Sequence, residues 1–238
     1  MKTLNGLSVV IPAGPGEEEW KELLKDLAYL PASANLYLVS PDIADEQRVE
    51  YQKHLQARLH IVKSVFGRAH QLNAGSKVSA GKFILFLHAD SRLPNESLAA
   101  LDVTLQNNTT PLLFYFDLRF RKDGPRLMTF NEIGANARSS ILGIPFGDQG
   151  FCIRRDLFEQ VGGYDTEVGR GEDHIFVWAC KALGIKTYRV KAPIFTSARR
   201  YRDKGWLRTT LAHTVIVTSQ IWRVWRKRSS AARGTRNV

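Results

Sequence analysis

The segment GRAHQLNAGSKVSAGKFILFLHADSRLP, residues 67–94, decides the fold of this chain. Its first part, residues 69–80, is rich in small and helix-tolerant side chains. Leu72 and Val78 are spaced to share one buried helix face, and Gly81 is predicted to end the helix. The segment therefore opens with a helix that packs on a neighbouring layer.

The second part of the segment predicts a central strand. Residues 83–87 form an apolar run without alternation, which is typical of a strand buried on both faces of a parallel sheet. Asp90 follows this strand, at the edge where open α/β sheets bind ligands. By position alone, Asp90 is equally well explained as a turn former or as the N-cap of the next helix.

Strand and helix patterns alternate along the rest of the chain. Strands are predicted at residues 7–11, 36–39, 59–62, 83–87, 112–118, 151–153 and 185–190, and helices at 17–30, 45–56, 69–80, 95–106, 126–142, 157–161, 171–183 and 206–225. This order predicts an α/β fold, a mostly parallel central sheet with helices on both faces and a C-terminal helix. We expect a single domain over residues 1–228, with a basic helix from about residue 206, and a disordered tail at 229–238.

Composition narrows the class of protein. The 238 residues are 44% hydrophobic, as in a globular protein with a proper core. Cys152 and Cys180 are too few for a disulfide framework or a metal cluster, so both are predicted to be core thiols. The first six residues lack a signal-peptide pattern and no run of 18 apolar residues occurs, so we expect a cytoplasmic protein without a membrane-spanning helix.

The net charge of +11 is concentrated at the C-terminal end. Residues 199–238 contain eleven Lys/Arg and one acid, Asp203, which leaves about +1 for the first 198 residues. Residues 206–228 place apolar side chains beside arginines, which fits a helix on an anionic membrane surface, at the inner face of the membrane. The same pattern also fits a helix packed on the core or against a second copy of the chain.

Short motifs recur in a fixed order over residues 7–213. They are SVVIP (8–12), GRA (67–69) with Gln71, Asn73 and Gly75, FLHAD (86–90), LP (93–94), PFGDQG (145–150), RR (154–155), GGY (162–164), ED (172–173), SARRY (197–201) and GWLRTTL (205–211). The ordered set resembles the family 2 glycosyltransferases, which are inverting, nucleotide-sugar-dependent enzymes of the Rossmann-like GT-A fold. It is most similar to a bacterial branch labelled as arsenosugar-biosynthesis-type glycosyltransferases.

The resemblance implies a metal and donor site after the central strand. The family holds a divalent cation and the donor diphosphate with a D-x-D-type turn, which here reads His88-Ala89-Asp90. Asp90 inherits the metal role, with Mn2+ or Mg2+ as cofactor, because such hard cations take carboxylate and phosphate oxygens. His88 replaces the first acid and is either a donor or metal contact or a histidine with a backbone partner. The further donor-binding residues that the resemblance implies are Pro12, Asp42, Arg68, Asn73 and Ala89.

Two segments depart from the family pattern. Family members carry a carboxylate directly after the second strand, where this chain has Ser40-Pro41-Asp42, so Asp42 or Asp45 takes that place with a shifted register. The usual Asn-Glu-Glu after the first strand is replaced by GPGEE at residues 14–18.

The resemblance also implies a catalytic base. Asp173, in the pair Glu172-Asp173, corresponds to the carboxylate that deprotonates the acceptor hydroxyl during inversion. An acid at a helix N-terminus is also an ordinary cap, and that alternative stays open. The acceptor-binding or sugar-binding residues implied are Gly147, Asp148, Gln149 and Glu172. Arg199 and Arg200 would neutralise the diphosphate, unless they are solvated surface side chains.

Three functions are consistent with these features. We favour an active glycosyltransferase whose acceptor is a glycan, a lipid-linked molecule or a small alcohol. A non-catalytic nucleotide-sugar or carbohydrate binder on the same fold is opposed by the presence of both Asp90 and Asp173. A nucleic-acid binder would use the basic arm with Trp222 and Trp225, but the arm contains no established nucleic-acid motif.

Overall fold

The computed structural model describes residues 3–169 and 171–206. The strands are β1 (Leu7–Pro12), β2 (Asn35–Ser40), β3 (Arg58–Lys63), β4 (Phe83–Phe86), β5 (Leu112–Phe120), β6 (Phe151–Arg154) and β7 (Lys186–Thr196). The helices are α1 (Trp20–Asp26), α2 (Asp45–Gln52), α3 (Arg68–Val78), α4 (Asn95–Asn107), α5 (Met128–Leu142), α6 (Arg155–Val161), α7 (Glu172–Ala182) and α8 (Arg199–Lys204). Short 3-10 turns at Leu27–Tyr29 and Gly147–Gln149 complete the set.

The seven strands form one sheet in the order β3-β2-β1-β4-β6-β5-β7. Each ladder is parallel except those of β6, which runs antiparallel to both β4 and β5. The predicted α/β fold with a mostly parallel sheet is therefore confirmed. All four residues of β4 are buried, as the uninterrupted apolar run of the central strand predicts.

Each face of the sheet has its own apolar core. One core joins alternate strand residues, such as Val9 and Leu85, to α1 and α4. The other joins the intervening residues, such as Val10 and Ile84, to α3, α6 and α7. Because neighbouring strand residues point to opposite faces, both helix layers are needed to cover this sheet. The prediction of helices on both faces is confirmed.

Helix α3 differs in detail from the sequence prediction. Leu72 is buried as expected, but Val78 is 51% exposed, and the helix ends with Ser79 as its C-cap. Gly81 does not end the helix; a Cβ at this position would lie 2.2 Å from the carbonyl oxygen of Gly6. Glycine is needed there because β1 and the start of β4 pass too closely for any side chain.

Glycine also sets the depth of α3 on the sheet. A Cβ on Gly75 would lie 2.5 Å from Cγ1 of Val10 and 2.9 Å from Cγ2 of Val39. The helix backbone therefore rests directly on β1 and β2, a close packing that a larger residue would prevent.

Several element boundaries also differ from the predictions. Helix α1 begins at Trp20 rather than at residue 17, because Glu17 accepts a hydrogen bond from the Glu19 N–H in the preceding turn. Strand β7 extends to Thr196, six residues beyond the prediction. Cys152 and Cys180 are buried free thiols, as predicted.

The described residues end shortly after α8. No helix among them is long and apolar enough to cross a membrane. The predicted basic helix, apart from Trp206, and the predicted tail at 229–238 lie outside the described residues.

Candidate functional site

The candidate site lies at the carboxyl edge of the sheet, between β1 and β4. The chain leaves β1 toward β2 and β3 on one side and returns to β4 on the other, so the strand order reverses there. Ligands of open α/β sheets bind in the crevice at such a switch point. Because β6 is antiparallel, residues 147–149, which precede it, lie at the same edge as the end of β4.

Asp173 begins the site from the first turn of α7. Its Oδ2 atom accepts a hydrogen bond of 2.7 Å from the Gly147 N–H. Burial acts to raise the pKa of Asp173, but the charges of His174 and Arg68, together with the Gly147 N–H, outweigh burial and lower it. The carboxylate is therefore ionised at neutral pH, as a base must be.

Gly147 is the point at which three segments meet. A Cβ added to this glycine would lie 2.9 Å from Nε2 of His88 and 3.0 Å from Oδ2 of Asp173. The turn after β4, the turn before β6 and the first turn of α7 therefore converge on one small volume. This brings together His88, Gly147 and Asp173, which belong to three separate sequence motifs.

Arg68 connects this volume to the beginning of α3. Its Nη1 atom lies 3.1 Å from Oε1 of Glu172, a carboxylate that is only 7% exposed. Glu172, predicted to bind the acceptor, is thus occupied by Arg68. The Arg68 charge also acts on Asp173, His88 and Asp90, so one half-exposed cation influences the whole site.

Asp90 extends from the turn after β4 without a protein partner. Among residues 3–169 and 171–206, no other residue forms a hydrogen bond or ion pair with its carboxylate. Burial raises the pKa of Asp90, opposed by the Arg199 and Arg68 charges. A bound cation would instead stabilise the ionised form.

The site fits a divalent metal that takes only one carboxylate ligand from the protein. The described residues contain no group of three or more His, Cys, Asp or Glu that could enclose an ion. A single unpartnered carboxylate suits Mg2+ or Mn2+ that takes its remaining ligands from substrate phosphates and water. His88 is compatible with this arrangement because burial, together with the Arg68 and Arg200 charges, lowers its pKa to about 3 and keeps the imidazole neutral.

A network of ion pairs lies close enough to Asp90 for its charges to act on that carboxylate. Arg199 Nη2 lies 2.6 Å from Oε2 of Glu17, and Arg121 Nη1 lies 2.6 Å from Oε2 of Glu19. Asp123 accepts hydrogen bonds from the Ser197 hydroxyl at 2.7 Å and the Ala198 N–H at 2.8 Å. The network joins the loop after β1 to α8.

The two arginines predicted to bind the diphosphate differ in their surroundings. Arg199 is held by Glu17 and still acts electrostatically on Asp90. Arg200 is exposed, and its charge acts on His88. Among the described residues, Arg199 is therefore paired with an acid and Arg200 is not.

Other predicted site residues have structural roles. Asn73, predicted to bind the donor, donates to the Tyr164 carbonyl at 2.8 Å and accepts from the Tyr164 N–H at 2.9 Å. Gln149, predicted to bind the acceptor, is fully buried and bonds Ser139, Phe116 and Phe146. Both amides are thus engaged by protein groups in the structure.

The remaining predicted donor residues line the edge of the crevice. Pro12 is the buried last residue of β1, and Ala89 is buried in the turn before Asp90. Asp42 is exposed after β2, and its Oδ1 atom accepts the Ser40 hydroxyl at 2.7 Å. Asp42 therefore lies at the carboxyl edge two strands away from the end of β4.

Sequence reasoning missed Arg138 of α5. Its guanidinium carbon lies 3.2 Å from the ring centroid of Phe146, directly beside the Gly147 turn. The Phe146 ring in turn packs against His174, with ring centroids 3.7 Å apart and the ring planes tilted by 55°. A lone arginine in a helix has no local signature of burial, so only the position of α5 against the 145–150 turn could have identified it.

Asp148 gives the site a measurable pH dependence. Burial, against the opposing Arg138 charge, raises its pKa from 3.8 to about 6. An acid with a higher pKa in the folded chain binds its proton more tightly there, so the free energy of unfolding falls as pH rises from about 4 to 6. A shift of about two pH units corresponds to roughly 3 kcal/mol.

We therefore expect Asp148→Asn to remove this contribution to the fall in the free energy of unfolding between about pH 4 and 6. Urea unfolding of metal-free protein between pH 4 and 7 measures the effect, with Asp165→Asn, at an exposed position, as the matched control. Identical pH profiles for wild type and Asp148→Asn would show that Asp148 is not the responsible group.

No protein-family model and no curated protein sequence matches the chain. Solved structures do resemble it. A mannosyltransferase from Pyrobaculum calidifontis, in complex with GDP-Man and Mn2+, aligns over 80% of this chain and 56% of its own, with a TM-score of 0.60 and 17% identity. TarS of S. aureus, residues 1–349, aligns over 80% and 60%, with a TM-score of 0.62 and 19% identity.

A longer TarS structure aligns over 81% of this chain and 36% of its own, with a TM-score of 0.59 and 15% identity. The chain thus spans little more than half the length of the first two structures. At these identities the likeness establishes a shared fold, one that glycosyltransferase structures also adopt.

Proposed function

We propose that this chain is an inverting glycosyltransferase that moves a sugar from a nucleotide-sugar donor to an alcohol, with a divalent metal. The observation that carries the proposal is the meeting of His88 and Asp173 at Gly147, one turn from the unpartnered Asp90, at the switch point of the sheet. The ordered family 2 motifs and the fold shared with a mannosyltransferase support the same conclusion.

In the proposed reaction Asp173 acts as the general base. It removes the proton from the acceptor hydroxyl while the acceptor oxygen bonds to the anomeric carbon. The bond from that carbon to the diphosphate breaks, and the nucleoside diphosphate leaves from the opposite face, which inverts the configuration. The Gly147 N–H fixes the orientation of the Asp173 carboxylate.

The donor would be held by the turn after β4. Asp90, with His88 beside it, would hold the metal, which when bound neutralises charge on the leaving diphosphate. Arg200, exposed near His88, would add positive charge for the phosphates. The charge of His174, together with that of Arg68, which is paired with Glu172, keeps the pKa of Asp173 low.

The alternatives are disfavoured for specific reasons. A non-catalytic binder would not need a carboxylate with a lowered pKa oriented by a backbone N–H at the site. A nucleic-acid binder would depend on residues outside the described part of the chain.

A ligand screen tests the proposed donor. UDP-, GDP-, CMP- and dTDP-sugars are added in a thermal-shift assay, each with and without Mn2+. At a hundred times its dissociation constant, the true donor is expected to stabilise the protein by about 2.7 kcal/mol, and only with the metal. Failure of all four classes to stabilise the protein would contradict nucleotide-sugar use.

We also propose that the acceptor is presented at an anionic membrane surface. Phe130, Ile133 and Ile141 lie on one side of α5 and are each more than 60% exposed. The indole of Trp206 donates to Asn131 of the same helix at 2.7 Å, so the described part of the chain ends at this helix. Residues 207–238 contain seven Lys/Arg and no acid. Equal flotation with anionic liposomes after deletion of residues 226–238 would argue against this contact.

A further inference from the structure

Two backbone N–H groups hold the carboxylate of Asp173, one at each oxygen. The Gly147 N–H donates to Oδ2 at 2.7 Å, and the His174 N–H donates to Oδ1 at 3.0 Å. His174 lies in the same helix as Asp173, so its N–H moves together with the carboxylate. Gly147 lies in the turn before β6, so its hydrogen bond depends on how this turn packs against α7.

The residues next to this hydrogen bond are in direct ring contact. Phe146 directly precedes Gly147, and His174 directly follows Asp173. The two ring centroids lie 3.7 Å apart, and His174 is only 8% exposed. The ring contact and the hydrogen bond therefore join the same two segments, the turn before β6 and the first turn of α7.

A third element, α5, holds the Phe146 ring in place through Arg138. The guanidinium carbon of Arg138 lies 3.2 Å from the ring centroid, and its Nε atom donates to the Ile144 carbonyl at 3.0 Å. Arg138 thus contacts both the ring of Phe146 and the backbone two residues before it. A planar guanidinium against an aromatic ring restricts the orientation of both groups. Phe146 is therefore fixed by α5 while it packs against α7.

We propose that Phe146 is a positioning residue for the base, and this role rests on the proposed function. Its ring, held by Arg138, fixes the turn against His174, so that the Gly147 N–H keeps the Asp173 carboxylate in one orientation. Phe146 acts only through these neighbours and takes no part in proton transfer itself. Because a displacement of about 1 Å in a reacting group can lower a rate about 10²-fold, loss of the ring should be measurable.

Hydrogen exchange of the Gly147 amide, followed by NMR, tests the ring contact without any substrate. Phe146→Leu keeps an apolar side chain but removes the ring. We expect the Gly147 amide to exchange about tenfold faster in this variant, because its hydrogen bond to Asp173 opens more often. Phe146→Tyr restores the ring and should exchange within about threefold of wild type. Phe195→Leu changes another half-buried phenylalanine, in β7, and should leave the exchange rate unchanged.

Release of the nucleoside diphosphate measures the effect on the reaction, with the donor found in the ligand screen and with water as the acceptor. We expect kcat of Phe146→Leu to fall about 10- to 100-fold. KM for the donor should stay near wild type, because the donor would be held by the turn after β4, and Phe146→Tyr should recover most of the rate. If Phe146→Leu fails to fold, Arg138→Lys serves instead and should show smaller changes in the same direction, because lysine keeps the charge but lacks the planar guanidinium.

The possible outcomes distinguish the positioning role from the proposed function. In an active enzyme, an unchanged Gly147 exchange rate and an unchanged kcat in Phe146→Leu would contradict only the positioning role. The same holds if kcat, KM and the unfolding temperature all worsen together and Phe146→Tyr restores none of them, because that pattern indicates a residue needed only for packing. A wild type that releases no nucleoside diphosphate from any nucleotide-sugar would contradict the proposed function, and the positioning role with it.

Discussion

The Asp173→Asn variant is expected to transfer sugar about 10²–10⁴ times more slowly than wild type, which corresponds to roughly 3–5 kcal/mol of barrier. Asparagine keeps the shape of the side chain and can still accept the Gly147 N–H, but it cannot take the acceptor proton. A group used mainly in the transition state is lost without much change in ground-state binding. Donor affinity by calorimetry and the unfolding temperature should therefore stay close to wild type.

A second helix in the same chain provides the control. Asp156 occupies the first turn of α6, as Asp173 does in α7, but its partner is the neighbouring Arg154. If Asp173 is only a helix cap, both asparagine variants should lose stability to a similar extent, and activity should follow stability. Full turnover by a well-folded Asp173→Asn enzyme would instead transfer the base role to Glu172 or Asp148.

The Asp90→Asn variant is expected to lose the metal dependence of donor binding. In wild type, Mn2+ should tighten nucleotide-sugar binding at least about tenfold, because the cation joins a carboxylate to the diphosphate. An amide oxygen is a far weaker ligand for a hard cation, so in the variant affinities with Mn2+ and with EDTA should converge. Calorimetric titration of the donor under the two conditions measures both values without reference to turnover.

The fold should survive this change. No other described residue bonds the Asp90 carboxylate, so asparagine leaves no protein group without its partner. Asp165→Asn, at an exposed site, should retain the full metal effect. Metal-dependent affinity that persists in Asp90→Asn would remove Asp90 from the site.

The fold was predictable because its signals are local. The buried run at β4 and the alternation of strands with helices are properties of short windows, and both predict the observed sheet. Details that depend on distant neighbours were not predictable. Gly81 fits a helix end by local rules, yet the close approach of Gly6 is what requires it.

The candidate site residues were predicted only through the ordered motifs that carry the family resemblance, because Asp90 and Asp173 on their own also fit a turn and a helix cap. Asp90, Asp173 and Arg68 were all predicted, and all three lie at the crevice. Asn73 and Gln149 are equally polar in sequence, but Tyr164, 91 residues away, and Phe116, 33 residues away, engage their amides. A sequence shows the type of each residue and not its partners. For the same reason, Arg138 was not predicted as a residue of the site.

The ion pair between Arg199 and Glu17 joins residues 182 positions apart in the chain. Translation proceeds from the N-terminus, so β1 and Glu17 emerge from the ribosome long before Arg199 is translated. Asp123 bonds Ser197, which lies 74 residues later in the chain, so this contact also forms late in synthesis. During synthesis we therefore expect β1 to β6 to be available for pairing before either of these contacts can form. A chain truncated before residue 197 would lack both contacts, and we expect it to form most of the sheet while the loop after β1 stays unjoined to this end of the chain.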